Sequence, residues 1–232
     1  MKKDATAKIA KLMQYFFILL TILAIIISVI YAQWENLLSA FMTLILFLIP
    51  NMFYKRTNLV IPPIFKIIIL IFIFASMYLG EIHSFFYRIR WWDVIMHSTS
   101  GMLLGYIGFL IIYALNKGKN IKVKLSPVFI AIFSFSFAVS IGVIWEIFEF
   151  GVDSILNMNM QKARNLQEVY NYFDTRLGVI DTMRDLIVNA ISACFISIIG
   201  FFYSKKKLKK DSSFAKLTEE FVENNPKLFS LD

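Results

Sequence analysis

Six acidic residues stand at one end of three otherwise apolar segments, where their side chains could work together. They are Asp93, Glu146, Glu149, Asp153, Asp181 and Asp185. Residues three or four apart on a helix share a face, and four residues span about one turn, or roughly 5.4 Å. With two further polar residues, the acids fit three helical stripes: Asp93 and His97; Glu146, Glu149 and Asp153; Asp181, Asp185 and Asn189.

Several carboxylates can gather only if something offsets their repulsion. A divalent cation could lie among them, arginines of the adjoining loops could pair with them, or some could hold protons. Carboxylate oxygens with one imidazole suit Mg²⁺, Mn²⁺ or Zn²⁺. The sequence predicts a metal site made by Asp93, His97, Glu146, Asp181 and Asp185, with Asn189 as a further cofactor-binding residue. In an enzyme, Glu149 and Asp185 would be catalytic, with Glu149 as the general base.

Structural roles compete with these assignments. Asp93 and Asp181 could be N-caps, because Asp accepts hydrogen bonds from the free N–H groups at a helix start. Glu149 and Asp153 could lie in water and pair with Arg164 or Arg176.

The other polar residues differ in how well a structural role fits them. A negative charge near the carboxyl end of a helix opposes the dipole, so such a role fits Glu146 less well. It fits Asp185 and Asn189 least, since both lie inside an apolar segment. His97 could be a ligand or a hydrogen-bonded core histidine, and His83 is left unassigned.

Composition predicts the elements that position the stripes. A chain with 58% hydrophobic residues, 17% charged residues and a mean hydropathy of +0.66 is typical of a polytopic membrane protein. Segments in hydrocarbon must satisfy their own backbone hydrogen bonds, so we predict an all-α fold. Six stretches are long enough to span a bilayer: residues 12–32, 37–54, 64–80, 93–115, 128–150 and 183–203.

The distribution of basic residues predicts the orientation. Cytoplasmic loops hold the excess of Lys and Arg, and 18 of the 24 lie in the amino-terminal arm, the second and fourth connections and the tail. Both termini are therefore predicted to be cytoplasmic, with a six-helix domain at 1–204 and a basic tail at 205–232 that contacts lipid headgroups. The net charge of +8 follows this pattern, so we expect no nucleic-acid partner.

Two segments outside the spans show helical spacing. The outer loop, residues 151–180, is predicted to hold an amphipathic helix that ends at Gly178 and is either a lid or a simple cover. Its apolar residues are Leu166, Val169, Tyr170, Phe173 and Leu177. In the tail, a short helix capped by Ser212 or Ser213 is predicted from the apolar positions Phe214, Leu217 and Phe221.

Small residues indicate which spans pack closely, because helices in lipid approach where side chains are small. The fourth span has Gly101, Gly105 and Gly108. The fifth has Ala131, Ser134, Ala138 and Gly142 at helical spacing. We therefore expect the polar stripes at the outer ends of these spans to meet.

Four motifs between about residues 90 and 200 contain most of these polar residues. They are Trp92-Asp93-x-x-x-His97, Trp145-Glu146-x-x-Glu149, Asn159-Met160-Gln161 and Asp181-Thr182-Met183-x-Asp185-Leu186-x-x-Asn189. Together they resemble the YjdF-like family of bacterial membrane proteins and, more distantly, VanZ-like proteins. The resemblance implies a protein of the bacterial plasma membrane and no particular reaction.

These observations favour a site beneath the outer membrane surface that acts on a lipid-linked or cell-envelope substrate. An enzyme of this kind would be a metal-dependent hydrolase or transferase. A proton- or cation-coupled transporter is the main alternative, although such proteins usually bind their ions near the midplane. A noncatalytic envelope or antibiotic-resistance module is the third.

Overall fold

In the computed structural model, residues 2–57, 59–117, 124–162 and 176–229 are described, and all of their regular structure is helical. The helices are α1 (Lys2–Ile30), α2 (Trp34–Thr57), α3 (Pro63–Ile73), α4 (Phe85–Arg88), α5 (Trp92–Lys117), α6 (Pro127–Leu156), α7 (Leu177–Ser204), α8 (Ser213–Asn224) and α9 (Pro226–Phe229). A π-helix, Phe74–Ile82, continues α3. Within the described ranges, six helices are long and apolar enough to cross a membrane: α1, α2, α3 with its π-helical extension, α5, α6 and α7. The prediction of an all-α fold with six such helices is confirmed.

Several helices extend beyond the predicted spans. The last long helix begins at Leu177 rather than at residue 183, and α6 continues to Leu156 rather than ending at residue 150. Both extensions contain charged residues, which lower the local hydropathy and therefore mark the edge of an apolar segment. Helix α7 begins before Asp181 because this side chain is buried on the same face as Asp185 instead of ending the helix.

The internal contacts divide the chain into two compact units. The first consists of Met1–Ile89, Lys117–Asn120 and Lys209–Asp232, and the second of Arg90–Asn116 and Ile121–Leu208. All three polar stripes belong to the second unit.

The first unit has an aromatic and aliphatic core. Phe17, Phe47, Leu70 and Ile73 form a buried cluster, and the rings of Phe17 and Phe74 stack with centroids 4.4 Å apart. The sharp start of α3 has a local cause, since proline at the first helical position has a backbone angle suited to the helix.

The tail helix α8 also belongs to the first unit. Its N-cap is Ser212, whose hydroxyl accepts a hydrogen bond from the backbone N–H of Ala215, as predicted. After α8, the side chain of Asn225 accepts a hydrogen bond from the backbone N–H of Val60 at 2.8 Å and donates one to its carbonyl at 2.9 Å. The tail is therefore hydrogen-bonded to the connection between α2 and α3.

Candidate functional site

The polar stripe of α6 lies on the buried face of that helix. Its buried residues recur every three or four positions: Ile130, Ser134, Ala138, Gly142, Glu146, Glu149 and Val152. Small residues occupy the first part of this face and carboxylates the second. The helix can thus approach its neighbour closely in one half and present acids in the other.

The stripe of α7 faces α6 in the same manner. Its buried residues include Asp181, Asp185 and Asn189, followed by Ser192, Ala193, Ser197 and Gly200. Helices α6 and α7 pack against each other, and a Cβ added to Gly142 would lie 3.1 Å from the side chain of Asn189. The two predicted stripes therefore meet.

Helix α5 joins them through glycine. A Cβ added to Gly101 would lie 2.5 Å from the backbone oxygen of Asn189, and one added to Gly108 would lie 3.0 Å from the ring of Phe137 on α6. Such approaches need a residue without a side chain. The contact at Gly101 brings His97, one turn earlier, to the acids of the other helices.

The imidazole of His97 lies at the centre of the resulting cluster. Its Nε2 atom is 3.5 Å from Oδ1 of Asp93 and 3.7 Å from Oδ2 of Asp185, while Nδ1 is 3.9 Å from Oε1 of Glu146. The side chains of Glu146 and Asp185 are 5% and 4% exposed, His97 12% and Asp93 25%. Asp93 is therefore the most accessible of the four.

The distances around His97 suit ligands of one cation better than a direct hydrogen bond. A hydrogen bond between nitrogen and a carboxylate is about 2.7–2.9 Å long. Two donors bound to one ion at about 2.1 Å in a tetrahedral arrangement lie about 3.4 Å apart. One atom each from Asp93, His97 and Asp185 lies within 4.8 Å of the others, so these three residues could hold a metal ion.

One oxygen of Glu146 supports the same interpretation. Oε2 is buried and has no hydrogen-bond partner in the described part of the chain. A buried polar atom without a partner is costly, so such an atom in a native protein calls for an explanation, and the binding of a cation is one. A cation among the carboxylates would give this oxygen an opposite charge.

We expect Glu146→Met to stabilise the metal-free protein. Methionine has a similar length and helix propensity but leaves no polar oxygen buried, so the free energy of unfolding should rise by about 1–3 kcal/mol. Thermal unfolding in detergent and chelator measures the change. Glu146→Gln is the control, since its amide stays polar and should give no comparable gain. A lower melting temperature for Glu146→Met would mean that the carboxylate has a structural role.

Asn189 connects two helices beneath the cluster. Its side-chain amide donates a hydrogen bond to Oγ of Ser100 at 3.1 Å, and Ser100 Oγ donates one to the backbone oxygen of His97 at 3.0 Å. Asn189 thereby fixes the backbone near His97. Its Oδ1 atom is buried without a partner in the described chain.

The remaining acids of α6 have different surroundings. The expectation that Glu149 lies in water is wrong: it is buried, and its Oε1 accepts a hydrogen bond from the indole N–H of Trp145 at 2.7 Å. Asp153 accepts hydrogen bonds from the backbone N–H groups of Met160 at 2.7 Å and Gln161 at 2.9 Å. Asp153 therefore fixes the loop after α6, while the predicted partner Arg164 lies outside the described residues. The role of Glu149 as a general base stays a prediction.

The predicted helix ends around the site need correction. Asp93 lies within the first turn of α5, where it still faces the positive end of the dipole. Asp181 is in the second turn of α7, whose N-cap is Arg176. Neither aspartate is an N-cap. Glu146 lies about three turns before the end of α6 rather than at it, because that helix continues to Leu156.

Two further predictions concern residues away from the cluster. The predicted outer-loop helix falls mostly on residues 163–175, outside the described residues, but its end at Gly178 is wrong because α7 already includes that residue. His83 is in the first unit, with its ring 4.9 Å from that of Tyr78.

Sequence reasoning missed Lys162, treating it only as a charge of the outer loop. This lysine is 8% exposed, and its charge acts on Asp93, Glu146, Asp181 and Asp185. The motif Asn159-Met160-Gln161 ends one residue before it. That adjacency was the one available signal, since a loop has no periodicity.

Comparisons with known proteins place the site in a family context. The family model described as "Predicted membrane protein (DUF2238)" matches residues 12–206. A protein of Thermotoga maritima described as "Uncharacterized protein" is 27% identical over 157 residues, which cover 68% of this chain and 71% of that protein. No solved structure matches.

Proposed function

We propose that this chain, which belongs to the DUF2238 family of predicted membrane proteins, binds one divalent metal ion at Asp93, His97 and Asp185. The observation that carries the proposal is that ligand atoms of these residues, from two helices, lie within 4.8 Å of one another. Glu146 is the fourth candidate ligand, because its Oε2 atom is buried and finds no hydrogen-bond partner among the described residues. Asp181, one turn from Asp185, completes the set.

The donor set fits a hard or intermediate cation. Two or more carboxylates and one imidazole favour Mn²⁺ or Zn²⁺ over Ca²⁺, which takes oxygen ligands. A bound ion of this kind would polarise a phosphoryl or acyl oxygen of a substrate. Glu149, held by Trp145, would accept a proton from the attacking water or hydroxyl.

We infer that the substrate is a lipid-linked or other cell-envelope molecule. Support comes from the six apolar helices, which indicate a multi-pass membrane protein, and from the basic residues, whose distribution favours an outer location for the cluster in a bacterial plasma membrane. The YjdF-like and VanZ-like resemblances agree with this location. The reaction would be a hydrolysis or a group transfer.

Metal analysis of the purified chain tests the proposal. After removal of metal with chelator and titration with Mn²⁺ or Zn²⁺ in detergent, we expect one ion per chain. Arg184→Gln is a matched control: it removes one exposed charge beside Asp185 and should still bind one ion. Absence of stoichiometric binding by the folded wild-type protein would refute the proposal.

Liposome flux separates the main alternative. Uptake of cations or protons that follows a gradient, and that disappears in Asp185→Asn, would favour a coupled transporter over an enzyme. A metal-binding enzyme should show no such flux.

A further inference from the structure

Lys162 occupies an unusual place for a lysine. It is almost fully buried, although lysine is rarely buried without a charged partner. Its backbone φ is 54°, in the left-handed region that glycine and asparagine adopt more easily. Burial and a left-handed backbone are both unfavourable for lysine. We infer that the positive charge is the reason why a lysine stands at this position.

The surrounding loop holds Lys162 in position. Asp153 accepts hydrogen bonds from the backbone N–H groups of the two residues before it, Met160 and Gln161. The side chain of Gln161 donates a hydrogen bond to Oγ1 of Thr182 at 3.1 Å, next to Asp181 on α7. The ammonium group itself donates a hydrogen bond to the backbone oxygen of Met160.

The ammonium group of Lys162 lies close enough to the cluster for its positive charge to act on the acids there. The charge acts on four carboxylates, from Asp93 on α5, Glu146 on α6, and Asp181 and Asp185 on α7. The imidazole of His97 lies within 3.9 Å of three of them, Asp93, Glu146 and Asp185.

We propose that Lys162 is a tethered cation that limits the cluster to one divalent metal ion and weakens the binding of that ion. This inference rests on the proposed metal site. Four carboxylates carry at most four negative charges, which one divalent ion and one ammonium nearly balance. Without the ammonium, the same carboxylates would match the charge of two divalent ions, as in sites where two metals lie about 3.5–4 Å apart.

Substitution of Lys162 by glycine tests the proposal. Glycine removes the charge and adopts the left-handed backbone without strain, so the loop should keep its conformation. We expect Lys162→Gly to bind Mn²⁺ or Zn²⁺ at least tenfold more tightly than the wild-type chain, with a second equivalent at higher concentration. Isothermal titration of the purified full-length protein measures both quantities.

Three further variants make the result specific. Lys162→Arg keeps the charge and should bind one ion with wild-type affinity. Lys162→Asn also tolerates the left-handed backbone and should behave as Lys162→Gly does, which protects the test if one variant fails to fold. Arg184→Gln removes an exposed positive charge near the cluster and should change affinity less than about twofold, because exposed charges are screened.

The outcomes separate the two proposals. If the wild-type chain binds one ion and Lys162→Gly binds it no more tightly, the tethered-cation proposal is wrong while the metal site stands. If no variant binds metal, both fail. If only the variants without the lysine charge bind metal, the wild-type chain holds no ion, and both the metal site and a lysine that admits one ion are wrong.

Discussion

Asp185→Asn is expected to weaken the binding of Mn²⁺ or Zn²⁺ by at least about a hundredfold, since even partners of metal ligands are worth about 10–100-fold. The carboxylate of Asp185 is almost fully buried, and its Oδ2 atom lies 3.7 Å from Nε2 of His97. The amide has the same shape but no charge, so it replaces an anionic ligand with a weak one. Titration calorimetry of the purified protein, with wild type as reference, measures the loss.

The protein should still fold after this substitution. Removal of one negative charge relieves repulsion among the carboxylates, so the melting temperature of metal-free Asp185→Asn should equal or exceed that of wild type. Loss of binding together with a lower melting temperature would instead indicate a structural role for Asp185.

An exchange of neighbouring residues distinguishes coordination from a general acidic surface. The double variant Asp185→Asn/Asn189→Asp keeps the net charge and moves the carboxylate one turn along α7. Asn189 faces Ser100 at 3.1 Å, so a carboxylate there should not restore binding. Recovery of affinity in the double variant would show that negative charge alone attracts the ion.

The part of the site formed by helix faces could be predicted from the sequence. Asp181, Asp185 and Asn189 are spaced by four, and helix geometry alone places such residues on one face. The glycines of α5 indicated close packing, but the expected partner was α6, whereas Gly101 and Gly105 pack against α7. What spacing could not give was the meeting of three helices at His97, because that depends on which faces the tertiary packing brings together.

The part formed by a loop could not be predicted. Asp153 fits the helical stripe of Glu146 and Glu149, yet its carboxylate accepts hydrogen bonds from the loop backbone. Lys162 has a left-handed backbone conformation. A lysine in the sequence gives no sign of that conformation, which is found mainly at glycine and asparagine. Helical periodicity predicts which side chains share a helix face. It cannot predict the position of side chains that belong to a loop.

Helix ends were misplaced for a related reason. The apolar pattern breaks at Asp181, so the sequence suggested a helix that begins there or after it. The helix begins at Leu177 because the charged side chain is buried against neighbouring helices. At a functional site, polar residues can lie inside a helix. In the sequence they look the same as the polar residues that normally mark a helix end.

The second large effect is expected from Gly101→Ala, which should destabilise the second unit and weaken metal binding at least tenfold. The added Cβ would lie 2.5 Å from the backbone oxygen of Asn189 and 3.0 Å from Cβ of Ser192. A backbone oxygen cannot rotate away, so α5 must shift from α7. Such overpacking costs about 1–3 kcal/mol, which exceeds the gain of about 1 kcal/mol from replacing glycine by alanine in a helix.

The weaker binding follows from the same shift. His97 is one turn from Gly101, and Asp185 is one turn from Asn189, so a displacement between the helices changes the distances among the ligands. Metal sites tolerate deviations of only about 0.2 Å in ligand distance. Titration calorimetry of the purified variant measures the loss of affinity, and thermal unfolding measures the loss of stability. Both losses should follow from the displacement of α5 from α7.

Two other glycines provide matched controls for Gly101→Ala. No atom of the described residues lies within 4 Å of a Cβ added to Gly151, so Gly151→Ala should be neutral or slightly stabilising. At Gly105 the added Cβ would lie 2.3 Å from the Cγ2 methyl of Ile196, a closer contact than at Gly101 but with a side chain rather than with the backbone. We expect the damage to rank Gly101 first, Gly105 second and Gly151 last, with Ile196→Ala restoring Gly105→Ala. Equal effects at all three positions would mean that the packing of α5 against α7 does not position the ligands.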